Sequence, residues 1–160
     1  MIVTRPAQLF DAAAMAALLN PIIETGGTTA LTQTVDAEFI RNWMAKAPAR
    51  SAWTVAESGV DIVGFQLIAP WDQIPDDACD IGTYVAQDKF GMGIGSALFE
   101  ATKKAASKLG YKWINAHIRA DNESGLPYYQ SRGFRDWKYV EGYQLDDGQI
   151  VDKVWKRFDL

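Results

Sequence analysis

The sequence predicts an α+β fold in one domain, with a mixed, mostly antiparallel sheet of about six to seven strands and about four helices. Three observations lead there. Short β-rich runs and helical patterns follow one another as strand, two helices, three strands, helix, strand, helix, two strands. The chain of 160 residues suits one domain around one core, spanning 1–160. Hydrophobic residues at 48% and charged residues at 22% lie near globular values, and no repeat, low-complexity tract or linker interrupts them.

Each element has its own signal. Ile2 to Arg5 reads as a first strand. Asp11 is placed to cap a helix running to about Thr25, bent or broken by Pro21. Gly26 to Gln33, GGTTALTQ, is a polar loop. Asp36 caps a second helix with Phe39, Ile40, Trp43 and Met44 on one face, and Pro48 follows its end. Trp53–Glu57 and Asp61–Ile68 flank the turn Ser58-Gly59 and form a hairpin. Pro70 to Asp77 is an acidic loop, and Cys79 to Ala86 the next strand. Ile94, Leu98, Ala101, Ala105 and Leu109 then recur every three or four residues, opposite Lys103, Lys104 and Lys108, in a helix that Gly110 ends. Lys112–Ile118 is a strand, and Asn122–Arg132 a short helix closed by Gly133. Phe134–Tyr143 and Ile150–Phe158 close the sheet through the turn DDGQ.

Composition removes several functions. The net charge of −4 argues against nucleic acid as a partner and is mildly compatible with a cationic substrate. One cysteine, Cys79, builds no disulfide framework, and one histidine, His117, builds no multi-histidine metal site, so no metal is expected. Both read as structural side chains, a buried thiol and a packed, hydrogen-bonded imidazole. No apolar run reaches 18 residues, so no membrane span is expected. DAAAMAALLN lacks a basic flank and reads as an amphipathic helix rather than a signal-peptide core. The expected location is the cytoplasm.

The most informative stretch is Tyr84 to Leu98, YVAQDKFGMGIGSAL, where three glycines alternate between a strand and a helix start. Free N–H groups and the helix dipole make such a junction an anion site, and glycine lets a phosphate approach the backbone. A nucleoside-triphosphate loop requires Gly-Lys-Ser/Thr, whereas Gly95 is followed by Ser96-Ala97. A dinucleotide fingerprint fits Gly91 and Gly93 but meets Ser96 at its third glycine. The dinucleotide reading and a tight strand-to-helix turn with no ligand both stay open, beside a third candidate, the pyrophosphate of coenzyme A.

GMGIGSAL resembles the Arg/Gln-x-x-Gly-x-Gly/Ala signature of the GNAT superfamily of N-acetyltransferases. Gly93 and Gly95 take the small positions, and Phe90 departs from the Arg/Gln position. The later stretch NESGLPYYQSRGF puts Asn122, Gly125, Tyr128, Tyr129, Gly133 and Phe134 in register with the family's second motif. The resemblance is close from Asp80 to Phe134 and follows element order elsewhere. The segments LLNPIIETGGTTA and YVEGYQLDDGQIVDKVWKRFDL are similar to the phosphinothricin acetyltransferase branch.

That resemblance implies acetyl transfer from acetyl-coenzyme A to the primary amine of an amino-acid-like small molecule, such as phosphinothricin or methionine sulfoximine, by direct attack. It implies cofactor contacts from Tyr84, Val85, Phe90, Gly91, Met92, Gly93, Ile94, Gly95, Ser96 and Asn122, and a homodimer. Such chemistry wants a proton acceptor for an amine of pKa about 10 and a donor for the leaving thiolate. Asp80 sits where the branch carries an acidic residue and is the candidate base, with a paired strand carboxylate as its structural reading. Tyr129 is the candidate general acid. Some of the branch carries His there, and a core aromatic is the structural reading. For the acceptor, Glu24, Trp71 and Asp72 are candidates, with Asp76 and Asp77 beside them as a possible cation clasp. Two further readings stand: acetylation of a protein N-terminus or lysine, and a coenzyme A-binding module without catalysis.

Overall fold

The computed structural model describes residues 1–160. Its elements are β1 (Ile2–Pro6), a 3-10 turn at Leu9–Asp11, α1 (Ala12–Thr25), α2 (Ala37–Met44), β2 (Ala52–Ser58), β3 (Asp61–Ala69), β4 (Ala78–Val85), α3 (Ile94–Lys108), β5 (Trp113–Arg119), α4 (Gly125–Ser131), β6 (Arg135–Gln144) and β7 (Ile150–Asp159). The strands form one sheet in the order β1-β2-β3-β4-β5-β7-β6, antiparallel throughout except between β4 and β5. Element order and type agree with the sequence reading. The differences are local. Helix α4 begins at Gly125 rather than Asn122, and α1 runs through Pro21 to Thr25 without breaking.

Two helical layers cover the sheet, as the period-2 alternation of its strands requires. On one face Ala12, Met15, Leu19, Ile23 and Ile40 from α1 and α2 pack on Trp53, Val55, Phe65 and Leu67. On the other, Ile94 and Leu98 of α3 pack on Ala56 and Val63. Phe99 and Ala106 of α3, with Tyr129 and Phe134, complete that layer on Ile68, Cys79, Ile81, Ile114, Ala116 and Ile118. The buried ridge of α3 is therefore Ile94, Leu98, Thr102 and Ala106 with Phe99 beside it, and the expected Ala101, Ala105 and Leu109 sit at its margin. On α2, Phe39 leaves the apolar face: it is 43% exposed, edge-on to Trp43.

The parallel pairing of β4 with β5 is short. It covers Ala78↔Trp113, Cys79↔Ile114 and Asp80↔Asn115, and then stops. β4 continues to pair with β3 as far as Val85, and β5 with β7 as far as Arg119. Ile81–Val85 and Ala116–Arg119 therefore face each other across a gap in the middle of the sheet, each with one backbone edge unpaired.

Asp11 does something other than cap α1. Its buried carboxylate accepts both terminal guanidinium nitrogens of Arg5 at 2.8 Å and the Gln8 N–H at 2.7 Å, while Arg5 Nε donates to Glu57 at 2.8 Å. This clamp joins β1, β2 and the start of α1. Arg5 holds the Asp11 carboxyl below the usual aspartate range. The ionised form is thus the one folding favours, and its contribution is complete above the ordinary aspartate value and lost as pH falls through the lower folded-state value. Asp11→Asn is expected to cost about 1–3 kcal/mol at neutral pH. In urea titrations the wild-type advantage should shrink on acidification below the ordinary aspartate pKa; an advantage independent of pH would refute the clamp.

Candidate active site

The glycine turn delivers the chain from β4 into α3. Gly93 caps the helix in the left-handed region at φ 76°, where a Cβ would be strained. The first helical hydrogen bond runs from Ala97 N–H to Gly93 O at 3.0 Å, so the N–H groups of Ile94, Gly95 and Ser96 lack intrahelical partners. Gly95 is bare for a different reason. A Cβ there would lie 2.6 Å from Cε1 of Tyr128. The Tyr128 hydroxyl donates to Gly95 O at 2.8 Å, so ring and helix backbone are in direct contact. The side chain that comes closest to the third glycine is the protein's own.

From Tyr128 a polar chain crosses to the gap. Gln66 Nε2 donates to the Tyr128 hydroxyl at 3.2 Å and to Thr83 Oγ1 at 2.8 Å, and Thr83 Oγ1 bonds the Tyr129 hydroxyl at 2.8 Å. Burial pushes the Tyr129 hydroxyl well above the usual tyrosine range. At neutral pH it holds its proton, as a proton donor must.

Asp80 lies on the opposite face, at the last pair before the strands part. Its Oδ1 accepts from Asn115 Nδ2 at 2.9 Å, and its Oδ2 is 2.9 Å from His117 Nε2. Asn115 is fully buried and oriented by Trp137, whose Nε1 donates to Asn115 Oδ1 at 2.8 Å. His117 Nδ1 lies 3.0 Å from Lys153 Nζ, and its ring stacks on Trp71 with centroids 4.3 Å apart. An ammonium only donates, so with Lys153 charged Nδ1 accepts and Nε2 carries the proton directed at Asp80. Burial holds the Lys153 amine below the usual lysine range.

A cavity of about 860 Å³ joins these parts. It runs from the glycine turn along the free edge of β4 to the Asp80–His117–Lys153 wall, closed by Thr28–Leu31 and Trp71. Of the residues singled out in the sequence, Asp80, Tyr129, Tyr84, Val85, Phe90, Gly91, Gly93, Ile94, Gly95, Ser96, Asn122 and Trp71 line it. Met92 does not, and is 48% exposed. Glu24 and Asp72 are exposed and outside the wall, as are Asp76 and Asp77, so the expected acidic clasp does not face the cavity. Asn122 is engaged within the protein. Its Oδ1 accepts from Gly125 N–H at 2.8 Å and from Ser124 Oγ, and its Nδ2 donates to Thr28 O at 3.1 Å. With Arg119, whose Nη1 donates to Thr29 O at 3.3 Å, it pins the GGTTALTQ loop over the cavity.

Asn115, Arg119, Lys153 and Arg132 are not among the site residues read from the sequence. Arg132 donates to Ser96 Oγ in the first turn of α3, and its buried Nε has no partner. A signal existed for part of this set. Asn115, His117 and Arg119 alternate with Ile114, Ala116 and Ile118, which gives β5 one polar face on a buried strand.

A helix start with free N–H groups, a split sheet, and a hydrogen-bonded carboxylate and tyrosine hydroxyl on its two sides are thus in place. The model of the acetyltransferase (GNAT) family matches residues 16–134, and the chain belongs to that family. Among curated relatives, it is 26% identical to the phosphinothricin N-acetyltransferase of Streptomyces viridochromogenes, over 98% of this chain and 87% of that protein. Among solved structures, it superposes with a TM-score of 0.89 on the ribosomal-protein-alanine N-acetyltransferase of Brucella melitensis, at 22% identity over 99% of both chains. It is also similar, at a TM-score of 0.87 and 16% identity over 99% of this chain and 88% of the other, to a phosphinothricin acetyltransferase from Sinorhizobium meliloti in complex with acetyl-coenzyme A. No helix is long and apolar enough to cross a membrane.

The contact of Gly95 with Tyr128 has a measurable consequence. Gly95→Ala gains helix propensity of up to about 1 kcal/mol, yet the ring must move to admit the methyl group, at about 1–3 kcal/mol. A net loss of stability is expected in the wild type and a net gain in a Tyr128→Ala background. Equal effects in both backgrounds would rule the contact out as the reason for the glycine.

Proposed function

We propose that the protein moves the acetyl group of acetyl-coenzyme A to the primary amine of a small, amino-acid-like molecule by direct attack. The observation that carries this reading is the gap between β4 and β5, with a helix start at one end and a hydrogen-bonded carboxylate at the other. Free backbone groups along Ile81–Val85 suit a pantetheine arm added like a strand. The unpaired N–H groups of α3, with Lys89 and Arg132 on the same wall, suit the phosphates. In this reading Arg132 supplies the cation that Phe90 omits.

The chemistry divides across the sheet. On one face Asp80, held by Asn115 and His117, takes a proton from the acceptor's ammonium. The freed nitrogen lone pair forms the C–N bond at the thioester carbonyl, and backbone N–H groups of the β4 edge face the developing oxyanion. The nitrogen sheds its second proton to solvent, the C–S bond breaks with its electron pair leaving on sulfur, and Tyr129 on the other face delivers a proton to the thiolate and is reprotonated from solvent. The curated phosphinothricin N-acetyltransferase relative supports an amino-acid-like acceptor. The cover formed by Thr28–Leu31 and Trp71 favours a small molecule over an extended peptide. A homodimer fits the aromatic side chains Trp137, Tyr139 and Tyr143, which are exposed on outer strand β6.

Calorimetric titration with acetyl-coenzyme A, against NAD as control, tests the binding half. Micromolar binding of acetyl-coenzyme A alone is expected, weakened roughly 10- to 100-fold by Arg132→Ala. Thiol release with amine acceptors tests the chemical half, where Tyr129→Phe and Asp80→Asn should each lower kcat by roughly 100-fold or more. Binding of NAD instead, or full turnover in both variants, would overturn the assignment.

A further inference from the structure

The wall of the cavity is strongly basic in a chain of net charge −4. Its charged residues are Lys46, Lys89, Arg119, Arg132 and Lys153, against the single carboxylate of Asp80. Lys89 and Arg132 stand at the glycine turn, while Arg119 and Lys153 stand across the gap, on the β5–β7 side. These two are directly opposed in the β5–β7 ladder, so their side chains leave the sheet on the same face.

They differ in one respect. Arg119 is bonded to both carboxylate oxygens of Asp121 and to the Thr29 carbonyl. Lys153 has no carboxylate within ion-pair distance. Only 2% exposed, it has one hydrogen-bond partner, His117 Nδ1, and the ring of Tyr143 at 4.1 Å from its Nζ. An ammonium carries three donors. The nearest carboxylate on the cavity wall, Asp80, meets it only across the His117 ring, so its burial is costly and an anion beside it would lower that cost.

We propose that Lys153 is the subsite for an acid group of the acceptor, an oxyanion such as a carboxylate or phosphinate, while the amine lies toward Asp80. The inference rests on the acetyl-transfer reading for the identity of the ligand, but not for the anion site itself. It identifies the acceptor as a molecule with a basic end and an acidic end. His117 separates the two protein charges and hydrogen-bonds to both.

Lys153→Gln tests this, because the amide can still donate to His117 Nδ1 while the charge is gone. Three acceptors separate the acid groups: phosphinothricin with carboxylate and phosphinate, its decarboxylated counterpart with phosphinate alone, and methionine sulfoximine with carboxylate alone. Propylamine carries neither. Lys153→Gln is expected to raise KM roughly 10- to 100-fold more for acceptors bearing the recognised acid than for propylamine, whose change reports any effect passed through His117 to Asp80. The acceptor that escapes the effect shows which oxyanion is not read. A uniform change across all four, or no change, would overturn the proposal. Heats of binding of the same acids to wild type and variant, without acetyl-coenzyme A, decide it independently of turnover. Acids that bind wild type and not the variant support the site even where no amine is acetylated, and absence of binding to both overturns it.

Discussion

The site depends on the point at which two parallel strands stop pairing. β4 and β5 share three residue pairs and then follow different neighbours. A sheet interior normally satisfies every backbone group within its ladders, so an unpaired strand edge there is a demand for a partner. In this fold the partner can only enter through the gap. The layers on either side keep the gap open. Phe99, Tyr129 and Phe134 hold one flank by packing against each other with centroids 5.1–5.5 Å apart, and Trp43, Phe65 and Tyr84 support the other. Because Asp80 is the last residue of β4 paired with β5, its carboxylate stands where the strands separate, while Thr83 and Tyr129 come in from the opposite face.

Charge follows the same geometry. An acidic chain gathers five cationic side chains and one carboxylate around its cavity, and its remaining acids lie outside. Net charge alone therefore says little about the cavity, because a chain of acidic balance encloses a mainly cationic wall. The acidic loop Pro70–Asp77 illustrates the point. Trp71 packs inward on His117 and Trp155, while Asp72, Asp76 and Asp77 are solvated. The loop serves the site through its indole and not through its charge.

How much of this was legible in the sequence depended on range. Local signals carried well: the Asp36 cap, the hairpin at Ser58-Gly59, the glycine turn and the element order all depend on residues close together in the chain. Gly95 shows where such signals end, because its bareness is explained by Tyr128, 33 residues on. Asn122 likewise caps Gly125 locally, and also holds Thr28, 94 residues before it. The Asp80–His117–Lys153 chain is assembled from three strands, and no spacing within one strand encodes it. Its one sequence trace is the polar alternation on β5, which indicates a second face without saying what that face meets.

The wall at Lys153 also bears on stability. A buried amine held below its ordinary pKa opposes folding while it is charged in solution, and that opposition fades as pH rises toward the value of the unfolded chain. Replacing such a group with an apolar side chain of similar length commonly stabilises a protein. Retention of a buried lysine beside a histidine, with the Tyr143 ring over its amine, is thus a cost carried in the free state. The cost is relieved when an anion enters, so the same desolvation that penalises the empty site strengthens the bound one. In the proposed reading such a wall, with one cation and, across an imidazole, one carboxylate, would discriminate by charge placement: a ligand lacking the acid would leave the ammonium with only the distant carboxylate, and a ligand lacking the amine would give that carboxylate no proton to take.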